Sequence, residues 1–190
     1  MSDRQQEPFA EPNLTGFLLV AHPGMMDPSF RRSIILVSAH SEEDGALGVV
    51  LNRPMGRRLS EIEEDFEHTS LGAVPLFYGG PVKPREMILT AWEPTGEPGM
   101  FKLFFGISPD QASELQEQND DLILRGFLGY SGWSSGQLEK ELHENAWFVS
   151  PLDSAVLSNA GSPDLWRRII TRLKPELAFL ADAPEDPSMN

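Results

Sequence analysis

The connection between the second and third apolar segments of this chain is the feature that most constrains its fold. The segments at 32–38 and 46–51 are rich in Ile, Leu and Val and have the length of strands. Residues 40–45 between them are polar and end in Gly45, a composition typical of a turn. A connection this short favours an antiparallel hairpin. The spacing therefore argues against a doubly wound parallel sheet.

The rest of the chain mixes strands with helices. Further strands are predicted at 17–22, 76–78, 87–92, 101–105, 122–130 and 147–149. Helices are predicted to begin near Ser60, at Ser108, near Ser135 and at Ser162. Ser60 with Glu63, and Ser108 with Gln111, have the spacing of capping boxes. The pattern predicts an α+β fold around a largely antiparallel or mixed sheet.

Length and composition predict one domain without covalent cross-links. A chain of 190 residues suits a single domain, which we place at 14–182. Residues 1–13 and 183–190 are polar, contain prolines and have no apolar periodicity, so we expect two mobile tails. Cysteine is absent, which excludes disulfides, thiolate metal sites and cysteine nucleophiles.

The charge and the apolar runs restrict the partners and the compartment. The net charge of −14 opposes direct nucleic-acid binding, because such binding relies on Lys and Arg paired with phosphates. No apolar run approaches the ~20 residues of a membrane helix. Residues 1–13 contain no apolar core of a signal peptide, so we expect a cytoplasmic protein without a membrane association.

Three groups of segments, taken together, resemble the YqgE/AlgH family. They lie at 14–23 with 26–33, at 45–54 with 78–82, and at 129–133 with 136–147. The resemblance implies an α+β fold whose bifurcated, mixed and largely antiparallel sheet curls into a pseudo-barrel with flanking helices. The family has no established biochemical activity. Ser131 departs from the alanine usual in the family, and we expect that change to affect local packing only.

The family name carries a regulatory suggestion. It reflects a proposed role in regulating alginate production, from which the label of transcriptional regulator derives, although no DNA-binding element is defined in the family. No recognition helix rich in Arg, Lys, Asn or Gln stands out here. Direct DNA binding is therefore the least favoured of three hypotheses.

Residues 132–136 formally match the G-x-S-x-G pattern of a nucleophile elbow. The serine of such an elbow needs a histidine base oriented by a carboxylate. The histidine that follows Ser134 is His143, which is predicted on the helix that Ser134 opens. We therefore favour a capping interaction between Ser134 and Gln137.

Histidines and tryptophans offer few other candidates. His22 ends a strand near Asp27, so the two residues are a possible acid and base of a small hydrolase. A hydrogen bond from His22 to its own loop is the simpler interpretation. No histidines have metal-ligand spacing, and we predict neither a metal nor a cofactor. Trp133, Trp147 and Trp166 are predicted anchors of the core or its rim, with Trp133 the more exposed.

Arg53 follows the third strand, and Arg57 with Arg58 completes the densest positive stretch of an acidic chain. The planar guanidinium of Arg53 is suited to a carboxylate or phosphate. The alternative for this stretch is local ion pairing with Glu61, Glu63, Glu64 and Asp65. Gly79 and Gly80 are predicted to form a tight turn at a strand end rather than a phosphate loop.

These observations favour a non-enzymatic regulatory or binding protein that acts through a protein or a small anionic ligand. Its surface is predicted to use His22, Asp27, Asn52, Arg53, Trp133 and Gln137, because sites tend to lie at strand ends and turns. A hydrolase using His22 and Asp27 is the second hypothesis. The oligomeric state is left open.

Overall fold

A computed structural model describes residues 13–97 and 100–183. The predicted tails 1–13 and 183–190 therefore lie outside the described residues, apart from Asn13 and Ala183. The strands are β1 (Phe17–Ala21), β2 (Ile34–Ser41), β3 (Gly45–Val50), β4 (Pro54–Arg58), β5 (Pro75–Tyr78), β6 (Val82–Pro94), β7 (Phe101–Ile107), β8 (Ile123–Trp133) and β9 (Trp147–Pro151). The α-helices are α1 (Pro109–Gln118), α2 (Gln137–His143), α3 (Ser154–Ser158), α4 (Leu165–Leu173) and α5 (Ala178–Ala181).

The strands form one branched, largely antiparallel sheet. Its main path runs β4-β5-β8-β3-β2-β1-β9, and β6 pairs with both β7 and β8. The pairing of β5 with β8 is parallel, and the other pairings are antiparallel. The predicted hairpin of β2 and β3 and the mixed α+β class are confirmed. The sheet remains open, since β4 and β9 end the main path.

Strand β8 is the branch point of the sheet. It pairs with β5 through Gly126–Leu128 and with β3 through Ser131–Trp133. Gly79 and Gly80 follow β5 at this junction, where the backbones approach closely. A Cβ on Gly79 would lie 2.2 Å from the carbonyl oxygen of Gly129, and one on Gly80 would lie 2.3 Å from that of Tyr130. The predicted tight turn is therefore also the place where two branches of the sheet meet.

Three apolar layers cover the faces of the sheet. The largest lies under α3, α4 and α5 and includes Trp92, Phe127 and Trp166. A second layer lies between α2 and the sheet and contains Trp133 and Trp147. The third packs around α1 and the turns that follow β4. Most of the long strands thus have at least one face buried, as the apolar runs predict, whereas β7 is only partly buried.

The helix predicted near Ser60 is wrong. Residues 59–73 form three 3₁₀ turns instead, Leu59–Glu61, Glu64–Phe66 and Ser70–Ala73. The backbone N–H of Arg58, rather than that of Ser60, donates to the carboxylate of Glu61 at 2.6 Å. Arg58 rather than Ser60 therefore precedes the first of these turns, Leu59–Glu61.

The other three predicted helices are present. Ser108 and Gln111 form the capping box that opens α1, with Pro109 at the first helical position. The final predicted helix is α4, and it buries Leu165, Ile169 and Ile170 on one face. Helix α3 was not predicted; Asp153 caps it by accepting the N–H of Val156 at 2.8 Å.

Candidate functional site

Four of the six predicted site residues lie at one edge of the sheet. Strand β1 ends where β2 begins and β3 ends, because both pairings are antiparallel. His22 follows β1, and Asn52 and Arg53 follow β3. Asp27 lies in the loop that joins β1 to β2. The antiparallel register thus brings these strand ends together.

Asn52 acts as a clamp between two strands. Its Oδ1 accepts the N–H of Ile34 at 2.8 Å, and its Nδ2 donates to the carbonyl of Arg32 at 2.9 Å. The amide thereby continues the ladder between β2 and β3 beyond the last strand pair. Both ends of the side chain are engaged by the backbone, so its polar groups stabilise the fold at this edge.

Arg53 lies beside a cleft of about 440 Å³ that we call the arginine cleft. The cleft is lined by Pro28, Arg31, Arg32, Asn52, Arg53, Pro163, Asp164, Trp166 and Arg167. Arg53 Nη2 donates to the carbonyls of Pro28 and Arg31 at 3.2 and 3.3 Å. The guanidinium is thus oriented by the loop between β1 and β2.

Two other cations of the arginine cleft, Arg32 and Arg167, are also held in place. The Arg32 guanidinium lies 5.3 Å from the centroid of the Trp166 ring and donates to the carbonyl of Ala183. Arg167 pairs with Asp182 at 2.8 Å and with Asp164 at 3.8 Å. The hydrogen bond and charge of Asp182, with the charge of Asp164, raise the pKa of Arg167. The cleft gathers four arginines in a chain of net charge −14.

His22 and Asp27 each bond within their own loop. His22 Nδ1 accepts the N–H of Gly24 at 2.9 Å, as in the simpler of the two predictions. Asp27 Oδ1 accepts the N–H of Ser29 at 2.7 Å. His22 lines a separate shallow cleft with Met25 and residues 144–146, and Asp27 does not line it. An acid–base pair of His22 with Asp27 therefore gains no support from these contacts.

Trp133 and Gln137 belong to a second group, the Glu141 cluster, which consists of Trp133, Gln137, Glu141 and Trp147. The indole N–H groups of Trp133 and Trp147 donate to Glu141 Oε2 at 2.8 and 2.7 Å. Gln137 Nε2 donates to Glu141 Oε1 at 2.9 Å. Trp133 is buried at 6% exposed, although it remains the most exposed of the four tryptophans, as predicted. Helix α2 covers the ring because Glu141 holds the helix against the sheet.

The six predicted residues therefore form two groups rather than one surface. Trp133 pairs with Ala46 near the start of β3, whereas Asn52 and Arg53 follow its end. Phe30 links the groups indirectly, because its ring packs 6.4 Å from that of Trp133 and 5.8 Å from that of Trp147. The loop that supplies carbonyls to Arg53 is thus anchored on the Glu141 cluster.

Ser134 has a structural partner in place of a catalytic one. Its N–H and its hydroxyl both donate to Gln137 Oε1, at 3.0 and 3.2 Å. Ser134 and Gln137 thus contact each other as predicted, but Gly136 rather than Ser134 is the N-cap of α2 and the hydroxyl donates rather than accepts, so a full capping box is not formed. His143 Nδ1 bonds to the carbonyl of Glu139 within its own helix. The G-x-S-x-G match is therefore explained by the entry into α2.

His40 and Glu139 form a pair that sequence reasoning missed. His40 is 7% exposed, and its Nε2 lies 2.6 Å from Glu139 Oε1. Its Nδ1 accepts the N–H of Leu14 at 3.1 Å, so the neutral ring carries its proton on Nε2 and donates it to the carboxylate. Burial opposes ionisation of Glu139, but its own backbone N–H and the His40 contact outweigh it and lower the pKa of the carboxyl.

Other site types are not represented in the described part of the chain. Within residues 13–97 and 100–183, no three His, Asp or Glu side chains are grouped as a metal ion would require. None of the helices in those ranges has the length and apolar character needed to cross a membrane. Arg57 Nη2 donates to the carbonyl of Glu61 at 2.7 Å, and the backbone N–H of Arg58 donates to the Glu61 carboxylate at 2.6 Å, so the two arginines contact Glu61 without the predicted ion pairs.

The fold and the two groups define an α+β protein with a branched open sheet and a cationic cleft at one edge. A family model described as AlgH-like (DUF179) matches residues 18–178. The chain belongs to this AlgH-like family, and the predicted resemblance is confirmed.

The similarity extends over nearly the whole chain. A UPF0301 protein of Streptomyces coelicolor is 38% identical over 186 residues, covering 94% of this chain and 96% of the relative. The solution structure of the AlgH protein from Pseudomonas aeruginosa matches with a TM-score of 0.61 and 28% identity, covering 96% of this chain and 99% of that one. A crystal structure from Corynebacterium diphtheriae has a TM-score of 0.66 at 24% identity and 92% and 94% coverage, which supports the fold alone.

Proposed function

We propose that this protein is a non-enzymatic binding protein whose arginine cleft holds a small anionic ligand or an acidic segment of a partner. The observation that carries the proposal is the gathering of Arg31, Arg32, Arg53 and Arg167 around one cleft of about 440 Å³. Planar guanidinium groups suit carboxylates and phosphates, which they bind through paired N–H donors.

The acidity of the rest of the surface favours this cleft as the place where an anion binds. Most of the surface of a chain with 29 acidic and 15 basic residues repels anions at long range. An anion is therefore favoured only where several cations are close together. Asp164 lies at the same cleft and would exclude ligands that crowd its carboxylate.

The loop geometry supports binding by a preorganised cleft. Arg53 is oriented by two carbonyls and Arg32 by the Trp166 ring, so these side chains lose less rotamer freedom on binding than mobile arginines. The candidate acid–base groups His22, Asp27 and Ser134 are engaged in local hydrogen bonds, which favours binding over catalysis. The lack of cysteine suits action in the cytoplasm, which the proposal includes. A regulatory role would follow if the ligand or the partner carries a signal.

The test is a thermal unfolding screen against carboxylates, phosphates and acidic peptides at constant ionic strength. A ligand that binds only the native state raises the unfolding midpoint by mass action. We expect Arg53→Ala to abolish the shift and Arg85→Ala, an exposed arginine outside the cleft, to leave it unchanged. A shift that is equal in both variants would contradict the proposal, as would the lack of any shift across the panel.

A further inference from the structure

Arg125 is a cation inside an apolar layer. It lies on β8, its Nη2 donates to the carbonyl of Leu157 at 2.5 Å, and its guanidinium lies 4.7 Å from the centroid of the Phe77 ring. Burial lowers the pKa of Arg125. Its Nε is buried and lacks a hydrogen-bond partner within the described residues, and none of their carboxylates forms an ion pair with it. Its positive charge is therefore not balanced by this part of the chain.

Two further buried polar groups lie next to Arg125. Thr90 of β6 is directly opposite it in the strand register, and Trp92 is two residues farther along the same strand. Both residues are 0% exposed. Thr90 Oγ1 and Trp92 Nε1 also have no hydrogen-bond partner among the residues described. Side chains directly opposite on antiparallel strands are about 5 Å apart at Cβ.

The Trp92 ring lies across this pair. Trp92 is opposite Ile123 in the register, yet its indole contacts Phe127, with the ring centroids 6.3 Å apart and an interplanar angle of 73°. Reaching from the row of Ile123 to Phe127 takes the indole past the row of Thr90 and Arg125. The three unpartnered atoms, Arg125 Nε, Thr90 Oγ1 and Trp92 Nε1, thus belong to side chains in one region of one sheet face, under the layer that α3 covers.

All three groups can donate a hydrogen bond, and one of them is positively charged. Leaving several buried donors unmet is costly, and native proteins rarely do so without an ion or water. The chain has 29 acidic residues, yet none of those in the described ranges forms an ion pair with Arg125. We propose that Arg125, Thr90 and Trp92 bind a small monoanion, either a halide or the carboxylate of a small acid. None of the three residues lines the arginine cleft, so this site is separate from it.

The size and the entry of the ligand follow from burial. Thr90 and Trp92 are inaccessible, whereas Arg125 is only partly buried. An anion therefore enters beside the guanidinium and reaches the hydroxyl and the indole only if it is small. A dianion would keep one negative charge without a partner in this buried site, because Arg125 supplies a single positive charge.

The test measures thermal unfolding against chloride, nitrate or formate, with gluconate keeping the ionic strength constant. We expect the midpoint of the unaltered protein to rise with each small anion, as mass action requires. Arg125→Met should remove the response, and Arg85→Met should keep it. Thr90→Val should raise the half-saturating concentration by roughly tenfold, the effect of losing one hydrogen bond to a charged group, while Thr90→Ser retains the hydroxyl and the response.

Two results would overturn the proposal. Equal responses of the unaltered protein and Arg125→Met would indicate a general salt effect. A Thr90→Val variant that is more stable at every anion concentration, with unchanged half-saturation, would indicate that the hydroxyl meets no anion. If Arg125→Met does not fold, the contrast between Thr90→Val and Thr90→Ser decides the question. Arg53→Ala should keep the response, which separates this site from the arginine cleft, and preference for formate over chloride would identify a carboxylate ligand.

Discussion

The arginine cleft and the Glu141 cluster contain charges of opposite sign in different surroundings. The Glu141 cluster surrounds one carboxylate with three neutral donors, from Trp133, Trp147 and Gln137, and covers it with a helix. The arginine cleft gathers four cations around open volume. The first arrangement uses its carboxylate within the fold, whereas the second is the site that we propose for an anion.

The comparison separates residues whose polar atoms are used within the fold from residues to which we assign the proposed binding. Trp133 and Gln137 were predicted as surface residues of a binding site, but their polar atoms are used by Glu141. Asn52 lies at the arginine cleft, yet its amide is also used by the backbone. Substitutions in the two groups should therefore differ in whether they cost stability or binding.

The largest expected effect is the loss of the central carboxylate. Glu141→Ala leaves the two nearly buried indole N–H groups without their acceptor, and it releases Gln137. We expect the free energy of unfolding to fall by about 3 kcal/mol, as several hydrogen bonds to a charged group are lost together. Urea denaturation measures this change.

The matched control for this substitution is Glu144→Ala on the same chain segment. Glu144 is exposed and reaches Lys140 at 3.9 Å. Exposed pairs of this kind contribute little, so a loss below about 0.5 kcal/mol is expected. Similar losses for the two variants would show that the Glu141 cluster is not the anchor of α2.

Asn52→Ala tests the part of the arginine cleft that also belongs to the fold. The substitution leaves the N–H of Ile34 and the carbonyl of Arg32 without their side-chain partner. We expect a loss of about 1.5 kcal/mol in urea denaturation, because both groups are partly buried. Asn159→Ala, which removes one exposed hydrogen bond to Ala155, should cost less. The reverse order would mean that Asn52 is not a clamp.

Local signals in the sequence predicted local structure well. Ser108, Pro109 and Gln111 opened a helix as predicted because every group in that capping box lies within four residues. The β2–β3 hairpin was predictable for the same reason, since only seven residues separate the two apolar runs. The Ser60 capping box failed because a competing contact forms two residues earlier, where the carboxylate of Glu61 accepts the N–H of Arg58.

Contacts between distant segments could not be predicted from one sequence. His40 and Glu139 are 99 residues apart, and the pairing exists because α2 packs over β2 and β3. The arginine cleft likewise joins a loop near 30, the end of β3 and the start of α4. Arg53 was a predicted site residue because its guanidinium suits an anion. Arg167 was not predicted, because its position in a helix gives no sign that it lies near Arg53.

The His40–Glu139 pair predicts a smaller effect with a distinct pH dependence. The pKa of Glu139 is lower in the folded protein than in the unfolded chain. The carboxylate therefore stabilises the fold fully above its unfolded pKa, about 4.3, and this stabilisation is lost as the pH falls through the folded pKa. At pH 7 we expect Glu139→Gln to cost about 1 kcal/mol, the net value of one hydrogen bond.

Urea denaturation between pH 3 and pH 7 measures this difference. The gap between the unaltered protein and Glu139→Gln should narrow as the solution becomes more acidic. Glu144→Gln should follow the unaltered protein throughout, since its exposed pair is weak. A gap that stays constant down to pH 3 would show that the ionised form of Glu139 is not what stabilises the fold.

The smallest stability effect should come from the arginine cleft itself. Arg167 is half exposed, and exposed ion pairs such as those with Asp164 and Asp182 are screened by solvent and salt. We expect Arg167→Met to change the free energy of unfolding by less than about 0.5 kcal/mol. The same variant should weaken the binding of any anion found in the thermal screen, because one of the four cations of the cleft is removed. A variant that loses stability without losing affinity would place Arg167 with the Glu141 cluster, among the residues that hold the fold.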